Sequence, residues 1–162
     1  MLRRALGRES EMIRRWRNHP RVRGVSFTAH EIGQEEHRRW WTATMADTTR
    51  RILVYEHDGV PSGVVNLFDH DVRARTAGWG FYLDVDGLGE RGELLAAWMR
   101  IEGEAVEYAF AELGISTLRG EVLVRNEAVR TLHRRYGFAE VGTYTREVDG
   151  VEEPVVVMEL AR

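Results

Sequence analysis

Hydrophobic and polar positions follow two periods along this chain: the alternation of a half-buried strand and the three-to-four spacing of an amphipathic helix. The pattern predicts the element order β α α β β β α β α β β. In chain order the elements cover 2–6, 10–18, 35–45, 51–57, 63–68, 76–83, a long helix within 88–113, 117–124, a helix after Asn126, 138–147 and 154–160. Strands and helices in this order predict an α/β (α+β layer) fold, with helices packed on a mixed, mostly antiparallel sheet.

The segment 126–138 carries the clearest local signals. Asn126 can cap a helix, because its side-chain oxygen can accept a hydrogen bond from a free backbone amide. Apolar side chains then recur at three-to-four spacing up to Tyr136, which therefore faces the core. Gly137 can end the helix before the next strand begins. The segment therefore predicts a compact unit in which a capped helix lies between two strands.

One connection joins parallel strands, namely 76–83 and 117–124, and the long helix provides the crossover that such a connection needs. Ligands of open sheets bind at the carboxyl ends of strands and at helix N-termini. Here the strand ends at 80–83 and the turn 84–92 follows, with three glycines that let backbone amides approach an anion. The pattern predicts a phosphate-binding turn at this point.

Other ligand sites that the sequence offers, in this turn and elsewhere, are weaker candidates. Residues 87–92 match GxGxxG, but the chain leaves no room for a full dinucleotide-binding sheet. A calcium loop at 84–88 fails because Leu88 stands where an oxygen ligand is needed. Asp69-His70-Asp71 can bind a metal or form a polar hairpin end, and the hairpin end is favoured. No metal is therefore expected.

Composition limits the partners. The 162 residues are a one-domain length, so a single domain over 1–162 is expected. A net charge of −3 gives no bulk electrostatic case for binding nucleic acid. The chain has no cysteine, and it shows neither an apolar run of membrane-spanning length nor a signal peptide. These features favour a cytoplasmic protein without a membrane partner. The oligomeric state stays open between a monomer and a homodimer, since exposed strand edges of small sheets often pair.

The segment from Asn126 to Phe138 resembles the last motif of the GNAT superfamily, the acyl-CoA-dependent N-acyltransferases. The resemblance implies the GNAT fold, with one parallel strand pair and helices on both faces of the sheet. It also implies that the turn after 76–83 holds the pyrophosphate of acetyl-CoA. The turn is only a loose version of the family pattern Gln/Arg-x-x-Gly-x-Gly/Ala. A literal match at 100–105 lies further on, but it would leave a short crossover helix.

Further motifs resemble, in order and spacing, the amino-sugar N-acetyltransferases of the pseudaminic acid pathway. They are Trp16-Arg-Asn-His-Pro20, Glu35-Glu-His-Arg-Arg-Trp-Trp41, 63–67, 80–83 and 107–113. The resemblance spans nearly the whole chain and implies transfer of an acetyl group to the amine of a nucleotide-linked amino sugar. A protein N-terminus and an amine-bearing antibiotic remain alternative acceptors. A non-catalytic acyl-CoA-binding module is the alternative from another functional class.

The resemblance also assigns residues to roles. The residues expected to hold acetyl-CoA are Phe81, Tyr82 and Leu83 through their main chain, Gly87, Gly89, Glu90, Arg91 and Gly92 at the phosphates, and Asn126 at the pantetheine. Arg17 and His37 are expected to face the diphosphate of the acceptor, since a guanidinium and an imidazole suit a diphosphate. Trp41, or its neighbour Trp40, can stack on a sugar or base, although at least one of the two is expected in the core.

Acyl transfer to an amine requires that the acceptor ammonium lose a proton and that the departing thiolate gain one. Many relatives place a tyrosine seven residues after the motif asparagine for the second task, but this chain has His133 there. The imidazole of His133 can protonate a thiolate, or His133 can be a solvated residue between arginines. The sequence does not identify a single residue as the general base. The candidates near strand ends are Glu56, His57, Asp69 and His70, and water can also relay the proton.

Overall fold

A computed structural model describes all residues, 1–162, and shows one seven-stranded sheet. The strands are β1 Leu2–Arg4, β2 Arg51–His57, β3 Val60–Asp71, β4 Thr76–Leu83, β5 Thr117–Leu123, β6 Ala139–Val148 and β7 Val151–Ala161. Their order across the sheet is β1-β2-β3-β4-β5-β7-β6. Only the central pair, β4 and β5, is parallel, and every other pair is antiparallel. The predicted mixed sheet with one parallel pair is confirmed.

Six α-helices cover the two faces of the sheet. They are α1 Ser10–Arg17, α2 Pro20–Arg23, α3 Gln34–Ala46, α4 Val85–Glu90, α5 Leu94–Leu113 and α6 Glu127–Arg135. Successive side chains of a strand point to opposite faces, so each face has its own core. Leu53 and Tyr55 of β2 belong to the large cluster with α5, whereas Ile52 and Val54 pack with Ile13 of α1. Helices on both faces are therefore confirmed, and none of them is long and apolar enough to cross a membrane.

The parallel strands β4 and β5 separate halfway along their length. Their pairing runs from Thr76 opposite Thr117 to Trp79 opposite Gly120 and stops there. Beyond that point β4 stays paired with β3 as far as Leu83, while β5 stays paired with β7. The two strands thus enclose a wedge-shaped opening in the middle of the sheet, which we call the cleft. Its apex lies at Trp79 and Gly120.

The segment after β4 differs from the prediction, because a short helix, α4, stands where a glycine turn was expected. Asp84 caps this helix by accepting a hydrogen bond from the Gly87 amide at 3.0 Å. A β-carbon on Gly87 would collide with the Asp84 carboxylate, so the cap itself requires glycine there. Leu88 is completely buried and anchors the helix. The long crossover helix α5 begins only at Leu94, and the alternative loop at 100–105 lies inside it.

Candidate active site

The cleft exposes a strand edge to which a ligand can pair. Residues 80–83 of β4 pair with β3 on one side, while their other side faces the separated β5. Phe81, Tyr82 and Leu83, predicted to hold the pantetheine through their main chain, lie on this edge. Backbone groups of an unpaired edge can bond an extended chain as an added strand. The edge therefore fits the amide-bearing pantetheine arm of acetyl-CoA.

The amides predicted to bind phosphate are largely engaged within the chain. The amide of Gly87 donates to Asp84, that of Arg91 to the Gly87 carbonyl, and that of Gly92 to the Gly89 carbonyl. Gly89 and Glu90 lie at the end of α4. The first turn of α5, residues 94–96, instead has amides without intrahelical acceptors, and no side chain caps this end. The anion site suggested by the structure therefore lies a few residues after the one predicted from sequence.

Arg91 lies beside this helix end. Its guanidinium binds Glu93 at 2.7 Å and the Ser62 hydroxyl at 2.9 Å, and these contacts hold it between α4 and α5. Gly92 has a φ of +69°, a conformation that favours glycine and turns the chain into α5. Free amides, a helix N-terminus and an arginine form a favourable environment for phosphate.

Asn126 lies at the far side of the cleft, where β5 leads into α6. Its Oδ1 accepts a hydrogen bond from the Val129 amide at 3.4 Å, so the predicted helix cap is confirmed. Tyr136, at the end of α6, turns its hydroxyl away from the cleft and donates to the Met99 carbonyl at 2.5 Å. The predicted inward orientation of Tyr136 is thereby confirmed. Tyr136 does not replace the tyrosine that the family pattern lacks here.

His133 is buried, with only 4% of its surface exposed, so the solvated interpretation is wrong. Its Nδ1 lies 2.8 Å from Glu102 Oε1, and its ring contacts Trp79 and Phe138 with centroids 5.1 Å away. Nε2 has no hydrogen-bond partner, yet it is not among the enclosed polar atoms that lack one. The small exposed area of His133 therefore includes Nε2, the nitrogen that is free to exchange a proton.

A cavity of about 320 Å³ lies on the opposite face of the sheet, between α1, α3 and the strands. Arg17 and His37, predicted to meet the acceptor, both line it. Both Trp40 and Trp41 pack against the apolar cluster of α1 and β2, but only Trp40 also lines the cavity. The choice of Trp41 as the acceptor contact is thus not supported, because the two side chains leave the helix in different directions. Gly80 and Tyr82 also line the cavity, so cavity and cleft meet at the end of β4.

Arg17 is a half-buried cation without a carboxylate partner. Its Nη2 donates to the Thr28 carbonyl at 3.2 Å, and its Nη1 is enclosed without any partner. Burial lowers the pKa of Arg17, which shows that the charge is held at a cost. His37 is 3% exposed, and burial lowers its pKa as well, so His37 is expected to be neutral near pH 7.

Several cavity residues were not predicted. Arg50 and Arg51 belong to the lining, but the Arg50 guanidinium lies 3.3 Å from Asp47 and that of Arg51 donates to the Tyr108 hydroxyl of α5 at 3.2 Å. Glu36 is the one acidic side chain of the lining, and Asn66 presents an enclosed side-chain oxygen without a partner. Asn66 lies opposite Gly80 in the pairing of β3 with β4. Its place in the motif 63–67 was visible in the sequence, but alternation alone did not show which face it occupies.

The four candidate bases do not line the cavity. Glu56 binds Arg3 at 2.6 Å, and His57 is buried against the Tyr55 hydroxyl at 2.7 Å, on the far side of the sheet. Asp69 and His70 lie at the end of β3, and Asp71 accepts hydrogen bonds from backbone amides of the turn that follows. The preferred interpretation of that turn as a polar hairpin end is confirmed. No group of three His, Asp or Glu side chains that could hold a metal is present.

The loop 24–33 closes one side of the cavity, since Thr28 and Ile32 belong to its lining. His30 fastens this loop: its Nδ1 lies 2.8 Å from Asp149 in the β6–β7 turn, and its Nε2 lies 2.8 Å from Glu36 of α3. Hydrogen bonds to both carboxylates raise the pKa of His30. The His30 side chain therefore links the loop to the sheet and to α3, and Asp149 also accepts hydrogen bonds from the amides of Ala29 and His30.

Comparison with known proteins agrees with this geometry. A family model described as "Acetyltransferase (GNAT) domain" matches residues 5–146. Two Campylobacter jejuni proteins named Acetyltransferase PseH, from strains 81-176 and NCTC 11168, are each 26% identical to the chain. The matches extend over 130 and 132 residues, which is 80% of this chain and 76% of each relative. The predicted resemblance is therefore confirmed.

Solved structures share the fold. A spermidine N-acetyltransferase from Vibrio cholerae, in complex with CoA and spermine, superimposes with a TM-score of 0.84 at 19% identity, covering 99% of this chain and 94% of the other. A putative phosphinothricin N-acetyltransferase superimposes with a TM-score of 0.77 at 20% identity, covering 99% and 97%. Because the family model extends over most of the chain, the protein belongs to the GNAT family of acetyltransferases and uses acetyl-CoA.

Proposed function

We propose that the protein transfers the acetyl group of acetyl-CoA to the primary amine of an acceptor that carries phosphate, with a nucleotide-linked amino sugar as the favoured acceptor. The observation that carries this proposal is Arg17. A buried guanidinium without a carboxylate destabilises the free protein, and an anionic ligand compensates that charge. Arg17 Nη1 is enclosed at the cavity and has no partner in the chain.

The charge of the cavity argues against a polyamine acceptor. The guanidinium of Arg17 lies at the cavity without a carboxylate partner, and the single carboxylate of the lining is Glu36, which already binds His30. A ligand with several ammonium groups would meet a net positive surface, whereas a diphosphate would meet a favourable one. The PseH relatives also support the sugar acceptor. The Vibrio cholerae enzyme shares the fold, but at 19% identity it does not identify the acceptor.

The cofactor contacts fit this activity. Main-chain groups of Phe81, Tyr82 and Leu83 on the unpaired edge would align the pantetheine, and the side chain of Asn126 would contact it from across the cleft. The free amides at 94–96, together with Arg91 and Gly92, would hold the phosphates. With the thioester at the apex of the cleft, an amine in the cavity can attack it directly, past Gly80. Acetyl-CoA supplies the activated acetyl group, and no covalent intermediate with the enzyme is needed.

Proton transfer would use His133 and solvent. The acceptor ammonium loses a proton to water, since no base candidate from the sequence lines the cavity. His133 Nε2 can then give a proton to the departing thiolate, which makes the thiol a better leaving group. The proposal includes a cytoplasmic location, where acetyl-CoA is available.

The test measures thiol release from acetyl-CoA with a panel of amines: a nucleotide-linked 4-amino sugar, spermidine, a peptide with a free N-terminus and an aminoglycoside. We expect turnover with the sugar nucleotide, and we expect Arg17→Met to raise its KM by roughly tenfold or more. Arg21→Ala is the matched control, because Arg21 is exposed on α2 and makes no side-chain hydrogen bond. Turnover with spermidine or the peptide, but not with the sugar nucleotide, would refute the proposed acceptor.

The non-catalytic alternative predicts a different result. A binding module would take up acetyl-CoA, as measured by calorimetry, and would release no thiol with any of the four amines. Measuring acetyl-CoA binding in the same preparation therefore separates a module from an enzyme that was given the wrong acceptor.

A further inference from the structure

Glu102 is a charged residue in an apolar position. It lies on the inner face of α5 between Ile101 and Ala105, and its exposed fraction is 0%. Burying a carboxylate costs several kcal/mol, unless it is paired with a cation and fully hydrogen-bonded. The only partner of Glu102 is His133, at 2.8 Å, and its Oε2 has none. Burial raises the pKa of Glu102, and the hydrogen bond from His133 partly offsets that effect.

Stability alone does not explain this pair. Apolar residues of similar volume often stabilise a protein as well as a buried ion pair, or better. The surroundings of Glu102 are already apolar, with Ile101, Ala105 and Val106 in the same core cluster. A buried glutamate at this position therefore needs another reason, and the position of its histidine partner provides one.

Two nitrogens face the apex of the cleft. A β-carbon on Gly120 would lie 3.4 Å from His133 Nε2 and 3.2 Å from Trp79 Nε1. Trp79 Nε1 is enclosed without a partner, and Gly120 is the last residue of β5 that pairs with β4. The bare Cα of Gly120 therefore leaves both nitrogens close to the point where the strands separate. Glu102 holds the imidazole from the opposite side, through Nδ1.

We infer that Glu102 is a positioning residue for the acetyl transfer, because it fixes the histidine with its proton on Nδ1 and its Nε2 directed at the apex. This inference rests on the proposed function. The arrangement follows the same logic as the carboxylate that orients the histidine in serine hydrolases. The carboxylate of Glu102 also stabilises the imidazolium, the form of His133 that can donate a proton.

In the transfer, His133 would act as the proton donor to the departing sulfur. The neutral amine attacks the thioester carbonyl, the new carbon–nitrogen bond forms, and the carbon–sulfur bond breaks with its electron pair on sulfur. The Nε2 proton of the His133 imidazolium passes to that sulfur, which leaves a neutral imidazole with its remaining proton on Nδ1, bound to Glu102. The acylated nitrogen releases a proton, and the imidazole takes one up again. One proton, the one first lost by the acceptor ammonium, therefore leaves to solvent in each turnover.

The first test compares the kcat and the KM of Glu102→Gln with those of wild type. Glutamine has the same shape and can still accept the Nδ1 hydrogen bond, so only the charge is lost. We expect kcat to fall by about 10- to 100-fold, with little change in the KM for acetyl-CoA. Glu107→Gln, on the exposed side of the same helix, is the control and should behave as wild type.

A double variant provides an independent check. If Glu102 acts through His133, Glu102→Gln/His133→Phe should be no slower than His133→Phe alone. A purely structural role for Glu102 would change the unfolding midpoint and leave kcat unchanged. That result, or additive losses in the double variant, would overturn the inference.

A third measurement does not depend on activity. Nitrogen-15 spectra of labelled histidine identify the tautomer of a neutral imidazole, and we expect the Nδ1–H form for His133 in wild type. Glu102→Leu should lose this preference. An Nε2–H form or a mixture in wild type would overturn the inference. Absence of thiol release by wild type with every acceptor would count against the proposed function, and the tautomer would still decide the role of Glu102.

Discussion

Replacement of Arg17 by methionine should stabilise the free protein while it weakens acceptor binding. Methionine keeps most of the apolar stem and removes the charge. The loss is one hydrogen bond to the Thr28 carbonyl, 3.2 Å long, which is worth about 1.5–3 kcal/mol because the donor is charged. The gain is relief from an enclosed, uncompensated guanidinium, and the desolvation penalty of such an ion is several kcal/mol.

The relief from desolvation should outweigh the loss of the hydrogen bond to the Thr28 carbonyl. Burial is the largest influence on the pKa of Arg17 and lowers it, and the charges that act in the opposite direction are secondary. A net gain of about 1–2 kcal/mol in the free energy of unfolding is therefore expected. For a domain of this size, each kcal/mol raises the melting temperature by roughly 2–4 °C. Calorimetric melting of wild type, Arg17→Met and the control Arg21→Ala measures the difference.

Binding of the acceptor should reverse the order of the melting temperatures of wild type and Arg17→Met. A bound diphosphate compensates Arg17 in wild type and has no such partner in the variant, so saturating sugar nucleotide should raise the melting temperature of wild type more. If Arg17→Met instead lowers the stability of the free protein by more than about 1 kcal/mol, the hydrogen bond to the loop 24–33 outweighs the desolvation. Arg17 would then be a structural residue, and the main support for a phosphate-bearing acceptor would be lost.

Three further results are expected. Glu102→Leu should lower the free energy of unfolding, measured in urea, by about 1–3 kcal/mol, because His133 loses its buried partner. Adding His133→Phe should restore most of the lost stability, and failure to do so would refute the pairing of Glu102 with His133. The pKa of His30 is raised, so its stabilising effect is complete below its unfolded value of about 6.5 and is lost as pH rises through the folded value. Amide hydrogen exchange in the loop 24–33, corrected for intrinsic rates, should therefore increase in wild type as pH rises through the folded pKa of His30. The increase should be absent in His30→Gln. Equal pH dependence in both proteins would contradict a role for His30 in holding the loop. Asn126→Ala should cost about 1 kcal/mol of stability through the lost cap, and an unchanged urea midpoint would show that the 3.4 Å hydrogen bond contributes nothing.

Features with local causes could be predicted from sequence. The cap at Asn126, the inward turn of Tyr136 and the parallel pair β4 and β5 each depend on spacing within one segment or on a crossover that needs a helix. The mixed sheet followed from the order of the strands and helices, and the GNAT fold followed from the resemblance of the segment 126–138 to a motif of that family. The divergence of β4 from β5 could not be predicted, because it depends on pairing partners that are distant in sequence.

The phosphate turn shows how one signal can have two causes. Asp84 and Gly87 were interpreted as part of an anion-binding turn, since glycines let backbone amides approach a ligand. In the structure the same two residues begin α4, where the aspartate occupies the space of a missing β-carbon. A capping aspartate followed three residues later by glycine therefore also fits a short helix. The free amides come later, at the start of α5.

Neighbouring residues on a helix were also hard to separate. Trp40 and Trp41 are about 100° apart on α3, so one can face the cavity while the other faces the core. Both are half-buried, and their rings are tilted against each other at 6.4 Å. Only the direction of α3 relative to the sheet decides which tryptophan reaches the acceptor, and that direction is a property of tertiary packing.

The clearest limit of sequence reasoning lies at the histidine that stands in for the family tyrosine. His133 was recognisable from its spacing after Asn126, but its surroundings were not, because the arginines beside it suggested solvent. Glu102 lies 31 residues away on another helix, in a stretch whose pattern is that of a core face. A carboxylate in such a stretch is costly, and the apolar residues around it make the cost higher. An acidic residue on the core face of one helix and a histidine on the next, each unexplained alone, therefore point to a pair, and the single free nitrogen of that pair lies at the opening between the two parallel strands.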